Sequence, residues 1–317
     1  MRFALQNVRF SNTTGLPGYG FLLLFLLTVF WGVNWPIIKM ALDDVPVLTF
    51  RAVCLVGGAL VIFSLGKILG YSLTVPRHLW RLLIVCSFFN ITGWHILTGY
   101  GIDLTSSGRA AIIAYTMPLW TAPLGLIILG EKITWRRILA LIFGTLGLGV
   151  LIISDFDKLG AAPLGLLFML FGALSWACGT VFQKKVIWGV PTIVLVGWQY
   201  ILGGIPIGIS AFLFVDYDTV SFPSLLPLLS ISYNIIFSFV FCYYAYYEVI
   251  RIFPVGVATV GTLATPIVGV FSGALLLGET LGWEEYTALI LVILALGFPA
   301  FWSSSWLKLC GKDNHAR

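Results

Sequence analysis

"GEKITWRR" (residues 130–137) and "GETLGWEE" (residues 278–285) are one octet written twice, 148 residues apart, with the last pair changed from Arg136-Arg137 to Glu284-Glu285. Each copy has glycine just after an apolar run and tryptophan just before the next, the pattern of a turn that ends one helix and begins another. Two near-copies of such a turn imply two copies of the helices around it. The reversed charges imply that the copies stand in different surroundings.

Composition names those surroundings. Of 317 residues, 59% are hydrophobic and only 10% charged, against about 25% charged in an average soluble domain. So few polar side chains cannot cover a water-facing surface. Apolar runs of membrane-crossing length recur along the whole chain, and stretches such as "FLLLFLLTVFWGV" lack the alternation of a barrel strand. The fold class is therefore an all-α polytopic membrane protein. The net charge of +5 sits in short loops, which excludes a nucleic-acid surface. Cys54, Cys86, Cys178, Cys242 and Cys310 are scattered singly, with no metal-ligand spacing and no disulfide framework.

Gly, Pro and charge punctuate ten expected spans: 19–41, 46–69, 79–101, 106–129, 134–153, 163–185, 191–214, 224–248, 254–278 and 283–303. The first, which contains Asn34, Pro36 and Lys39, is too long and too polar at its end for a cleaved signal and is read as retained. If the tails and the loops after spans 2, 4, 6 and 8 share one side, fourteen of the eighteen Lys and Arg fall there. Lys39, Arg109 and Lys158 fall opposite, and Arg51 lies within span 2. That bias places both termini in the cytoplasm. The opposite loops gather Asp43, Asp44, Asp103, Asp155, Asp157, Asp216, Asp218, Glu279, Glu284 and Glu285. Span 4 then ends inside and span 9 outside, and each octet carries the charge of its face.

The copy is wider than the octet. At the 148-residue offset Pro118 matches Pro266, Gly108 matches Gly256 and Ala110 matches Ala258; at 145, Trp31 matches Trp176 and Lys39 matches Lys184. The chain divides into a tail (1–18), a first repeat of spans 1–5 (19–153), a second of spans 6–10 (163–303) and a second tail (304–317). An odd number of spans per repeat inverts one copy against the other, the arrangement of many transporters. "FWGVNW" (30–35), "SSGRAAIIAYTMPLW" (106–120) leading to "GEKIT", and "ATPIVGVFSGALLLGE" (264–279) resemble the two-repeat EamA transporters of the drug/metabolite transporter superfamily. The resemblance covers roughly residues 20–300. It implies ten helices, as two inverted five-helix repeats, around a central cavity.

Polar residues far from span ends are the candidate site, because an unpaired polar group is costly in lipid. Trp31, Asn34 and Trp35 share a turn of span 1, beside Pro36, whose missing N–H frees a carbonyl. Span 3 offers Asn90 and Trp94 on one face and His95 about 100° away. Tyr115 lies near Pro118, Trp176 is the repeat-mate of Trp31, Gln199 corresponds to Arg51, and Tyr243 and Thr262 complete the set. Each also has a plain packing or interfacial role open to it. Arg51 has two readings: it snorkels to the interface, or it binds a substrate carboxylate near the outer mouth. Glu131 and Glu279, with Pro118 and Pro266, read as structural parts of the turn. A carboxylate at a helix C-terminus opposes the helix dipole, so each Glu is expected to cap the next helix, near Trp135 or Trp283.

No span centre holds a carboxylate, which argues against exchange of lipophilic cations for protons. Lipases' GxSxG and metalloproteases' HExxH are absent, so the chain reads as no enzyme, with no cofactor and no metal. Its expected partners are the lipid bilayer and a small-molecule substrate, with or without a proton as coupling ion. The expected function is a secondary transporter in the cytoplasmic membrane that exports amino acids, aromatic or hydrophobic ones, or similar zwitterions. The alternative is a multidrug or organic-cation exporter, or another metabolite permease.

Overall fold

The computed structural model of the chain describes residues 18–130, 135–156, 162–218, 220, 222–252 and 264–301. Its helices, numbered by span, are α1 (Gly18–Leu42), α2 (Val47–Ile68), α3 (Trp80–Ser87, Phe88–Gly93 and Trp94–Leu104), α4 (Ser107–Ala114 and Met117–Leu129) and α5 (Trp135–Phe156). They continue with α6 (Ala162–Lys184), α7 (Thr192–Phe214), α8 (Leu225–Tyr233, Asn234–Cys242 and Tyr243–Ile252), α9 (Ala264–Leu277) and α10 (Trp283–Phe301). Among the described residues there is no strand, and seven helical stretches are long and apolar enough to cross a membrane. The apolar parts described of α5 and α9 are shorter, Leu141–Leu151 and Ala264–Leu277. The chain is a multi-pass membrane protein of two-repeat architecture.

Burial runs opposite to that of a soluble protein. Phe212, Leu275 and Ile127 are about four-fifths exposed, whereas Asn34, Arg51, Asn90, His95, Gln199 and Asn234 are buried. An apolar outside and a polar inside suit a lipid solvent.

The octet's glycines have a definite task. Gly130 and Gly278 follow α4 and α9 with φ of 66° and 65°, the left-handed conformation that ends helices and that glycine adopts without penalty. A second repeated device starts α2 and α7. Pro46 and Pro191, 145 residues apart, precede them with nearly identical backbone angles (φ −54° and −55°, ψ 141° and 135°).

Glu279 does cap a helix, but the helix is α4 rather than α10. Its Oε1 accepts the Ser107 N–H at 2.6 Å, and its Oε2 accepts the Gly108 N–H at 3.0 Å and the Ser107 hydroxyl at 2.9 Å. Ser106 supplies the rest: its hydroxyl accepts the Arg109 N–H and its carbonyl the Ala110 N–H. All four leading amides of α4 are thereby satisfied. Reasoning along the chain favoured the adjacent helix; packing of α9 against α4 brings a nearer N-terminus. Arg109 donates to Glu285 at 2.5 Å, which ties α4 to α10 as well. On the same acidic face Lys39 bonds the Thr105 carbonyl, and Asp44 accepts both the hydroxyl and the N–H of Ser224. Those two bonds hold the Asp44 carboxyl below its usual range. Glu131 lies outside the described residues.

The repeats interlace. In the first repeat α1 packs on α8 and α9 and α2 on α8; in the second, α6 packs on α3 and α4 and α7 on α3. The remaining pairs, α2 with α7, α4 with α9 and α5 with α10, join each helix to its own counterpart. Close approach rests on small residues. On α6, Gly165, Gly172 and Gly179 lie seven apart against α3, and a Cβ on Gly179 would sit 2.0 Å from Asn90 Oδ1. On α1, Gly32 lies against Val268 of α9. Pro36 does not break α1, which runs unbroken through it. The carbonyl its ring strands is that of Gly32, which packs beside Gly269.

Loss of a charge-assisted cap predicts a measurable cost. Glu279→Ala is expected to destabilise the detergent-solubilised protein by about 2 kcal/mol, and Glu279→Gln, which keeps one acceptor, by about half that. Unfolding curves identical to wild type would exclude the cap as a stabilising contact.

Candidate functional site

Two helices carry a change of pitch, and the change recurs with the repeat. Phe88–Gly93 of α3 and Asn234–Cys242 of α8 are π-helical, and the 148-residue offset carries 88–93 onto 236–241. Where i→i+5 bonding interrupts the α ladder, carbonyls become available to other donors. Side chains from neighbouring helices take them. Trp31 Nε1 of α1 donates to the Ser238 carbonyl at 3.3 Å, the Tyr200 hydroxyl of α7 to the Phe239 carbonyl at 3.1 Å, and the Ser175 hydroxyl of α6 to the Phe89 carbonyl at 2.8 Å.

Around the α8 segment the aromatic rings form a continuous chain. Trp31 meets Tyr243 edge-on at 5.8 Å between centroids and Tyr246 at 5.7 Å; Tyr243 meets Tyr200 at 5.6 Å; Tyr200 meets Phe239 at 5.3 Å. The His95 imidazole stacks on Phe239 at 5.1 Å, with 19° between the planes. Beyond His95 on α3 comes Thr98, whose hydroxyl accepts from Arg51 Nη2 at 3.4 Å. Edge-on and stacked pairs at these separations are favourable geometries that fix ring orientation.

The other face of α3 turns to α6. Trp94 and Trp176 lie 5.0 Å apart, and Gln183 Oε1 accepts from Asn90 Nδ2 at 3.1 Å and from Gln199 Nε2 at 3.5 Å. Seven sequence candidates thus fall into two groups that α3 joins: Trp31, Tyr243 and His95 on one side, and Asn90, Trp94, Trp176 and Gln199 on the other. Trp31 and Trp176, equivalent in the repeat, do not meet; each packs on the π-bearing helix of the opposite repeat.

The remaining candidates are placed differently. Trp35 is buried and its ring packs against Gly269 of α9, in the core. Asn34 is buried with its Oδ1 unpartnered. Tyr115 stands at the interruption of α4, where Ala114 ends one segment and Met117 begins the next, with Pro118 in the new first turn. Pro266 holds the matching place near the start of α9 and is buried. Thr262 lies outside the described residues.

Four residues of the assembly were not anticipated. Gln183, Tyr200, Phe239 and Tyr246 carry no repeat match or motif; Gln199 beside Tyr200 is the nearest signal. Of the two readings of Arg51, snorkelling is excluded. It is 2% exposed, and α2 turns it inward against α3, where it reaches Thr98 and lies next to Gly99. A cation one turn inside a span can reach water only if its helix face meets lipid or the interface, and this face meets protein.

The sequence model of the EamA-like transporter family matches residues 18–153 and again 163–298. Similar proteins include the transporter YvbV of Bacillus subtilis, 28% identical over 87% of this chain and 89% of its own length. A Salmonella typhimurium protein named "Probable amino-acid metabolite efflux pump" is 27% identical over 89% of this chain and 94% of its own. The inner membrane transporter YedA of Escherichia coli is 25% identical over 89% and 90%. A solved crystal structure with 18% identity superposes with a TM-score of 0.65 over 89% of this chain and 96% of that one, a likeness of fold.

The Trp94–Trp176 contact offers a direct check of the site's packing. A double-mutant cycle with Trp94→Leu and Trp176→Leu is expected to give a coupling of about 1 kcal/mol in unfolding free energy. Additive losses would mean that the rings are neighbours without being partners.

Proposed function

The chain belongs to the EamA-like transporter family, and from that premise we propose that it exports small zwitterionic or neutral metabolites with an apolar part, amino acids foremost, aromatic and hydrophobic ones in particular. The observation that carries this reading is the chain of rings from half-buried Trp31 to buried His95, with the amides of Asn90, Gln183 and Gln199 across α3. Rings supply sequence-tolerant stacking surface, and amides supply neutral donors and acceptors, the pairing that suits a molecule with one apolar end and one polar end. The printed name of the Salmonella relative supports the same class. A cation exporter is less well supported, because the charged group beside this assembly is Arg51, which repels cations.

Alternating access takes a specific form here. A rock of α1–α5 against α6–α10 would break the main packing of nearly every helix, because the repeats interlace. The units that keep their contacts are α1 with α8 and α9, and α6 with α3 and α4. These two inverted groups move against each other in our reading, with α2–α7 and α5–α10 as flanking pairs. The contacts of Glu279, Arg109 and Asp44 close the acidic face, which the charge pattern assigns to the outside, with both termini in the cytoplasm. Transport proceeds as uniport or with a proton.

Proteoliposomes loaded with aromatic amino acids are expected to release them, and Trp31→Ala and Trp176→Ala to slow release by roughly 10-fold or more, the weight of about 1.5 kcal/mol of lost contact. Release at the wild-type rate in both variants would remove the tryptophans from the site. Release of quaternary ammonium ions in place of amino acids would overturn the substrate class.

A further inference from the structure

Arg51 and Arg109 are both buried guanidinium groups, and they are treated in opposite ways. Arg109 has Glu285 at 2.5 Å. Arg51 has no described carboxylate as partner; its one hydrogen bond is the long one to Thr98, and its Nε has none. Thr98, whose hydroxyl donates to the Trp94 carbonyl at 2.7 Å and accepts from Arg51 at the same time, offers a neutral acceptor and no counter-charge. Next to it His95, 4% exposed, has neither ring nitrogen hydrogen-bonded. His95 and Thr98 are three apart on α3 and share a face, so the guanidinium that reaches Thr98 lies on the face that carries His95.

A buried cation without a counter-charge is strongly unfavourable, and so is a buried imidazole with both nitrogens idle. Two such groups side by side form a set of donors that lacks its acceptor. We propose that Arg51 and His95 form a carboxylate-binding subsite, in which the substrate's carboxylate completes the ion pair while its apolar end lies on Phe239, Tyr200 and Tyr243. This rests on the transport reading above and sharpens it: the carboxylate, more than the amino group, is what the protein requires. The planar guanidinium fork matches a carboxylate with two parallel N–H···O bonds, and His95 adds a third donor. One cation answers one negative charge, so a phosphate dianion is a poorer fit. Gly99 lets α2 lie close on α3 at this point, because a Cβ there would meet Val47 Cγ1 at 2.5 Å.

The test uses the full chain in proteoliposomes, with phenylalanine as labelled substrate and 3-phenylpropionate, phenylalaninamide, 3-phenylpropanol and inorganic phosphate as competitors. Direct binding of each compound is followed in parallel by thermal shift in detergent. 3-Phenylpropionate is expected to compete about as well as phenylalanine, and the amide and the alcohol at least roughly 10-fold more weakly. Arg51→Gln is expected to weaken the carboxylates by roughly 10- to 100-fold with little effect on the alcohol, and Arg51→Lys to recover part of the loss. Equal competition by acid and amide in the wild type overturns the subsite even where phenylalanine is transported. Phosphate as effective as the carboxylate overturns the ligand class. If phenylalanine is not moved but 3-phenylpropionate still binds better than its alcohol, the transport reading fails and the subsite stands. Should Arg51→Gln not fold, the wild-type comparison and Arg51→Lys decide.

Discussion

The carboxylate of Glu279 on the first amides of α4 is the contact from which much of this architecture follows. Ser107 and Gly108 are buried, so this helix end has no water to receive its leading N–H groups and a partner must come from the protein. Here the partner comes from the other repeat, at the turn after α9. That choice fixes the height of Ser107 against Gly278, seats α9 along α4, and brings Glu285 to Arg109. Gly273 keeps the seat open, since a Cβ there would meet Ser107 Oγ at 2.4 Å and Glu279 Oε2 at 2.6 Å. The left-handed glycine before the Glu is what turns the carboxylate back toward its own helix bundle.

Interlacing extends the same logic to the whole molecule. Under exchange of the two repeats, α1 on α8 becomes α6 on α3, and α2 on α8 becomes α7 on α3. Every chief contact maps to another contact or to itself. Polar groups follow suit: the π carbonyls of α8 are met by α1 and α7, and that of α3 by α6. The bonds of Trp31 and Ser175 cross between the repeats, while that of Tyr200 stays within its own.

Much of the fold was legible because membrane helices announce themselves by composition and the repeat by spacing. Expected span limits fall within a few residues of the described helix ends, apart from the start of span 9 at 254, which lies outside the described residues, and Gly130 and Gly278 do serve as turn glycines. What sequence could not supply was the third dimension between distant helices. Glu279 was assigned to the next helix because adjacency along the chain is the only neighbour a sequence shows. Arg51 could be read as snorkelling because its distance from the helix end is visible and the helices around it are not. Tyr200 and Phe239 are ordinary apolar-helix residues until α7 and α8 cross, and Gln183 becomes an acceptor only when α3 lies over Gly179. Asn90, Trp94, His95 and Trp176 were found because a polar or indole group in mid-span is rare enough to need a reason.

The π segment of α3 has one more consequence. A turn that takes in an extra residue shifts the phase of everything after it by about 100°. Within the π segment Asn90 faces α6; after it, Thr98 reaches Arg51 of α2, while His95 lies over Phe239 of α8. A regular helix would keep its polar stripe on one neighbour from end to end. This one keeps Trp94 and Gly101 on α6 and turns His95 and Thr98 toward α8 and α2, so a single rod is geared to both groups.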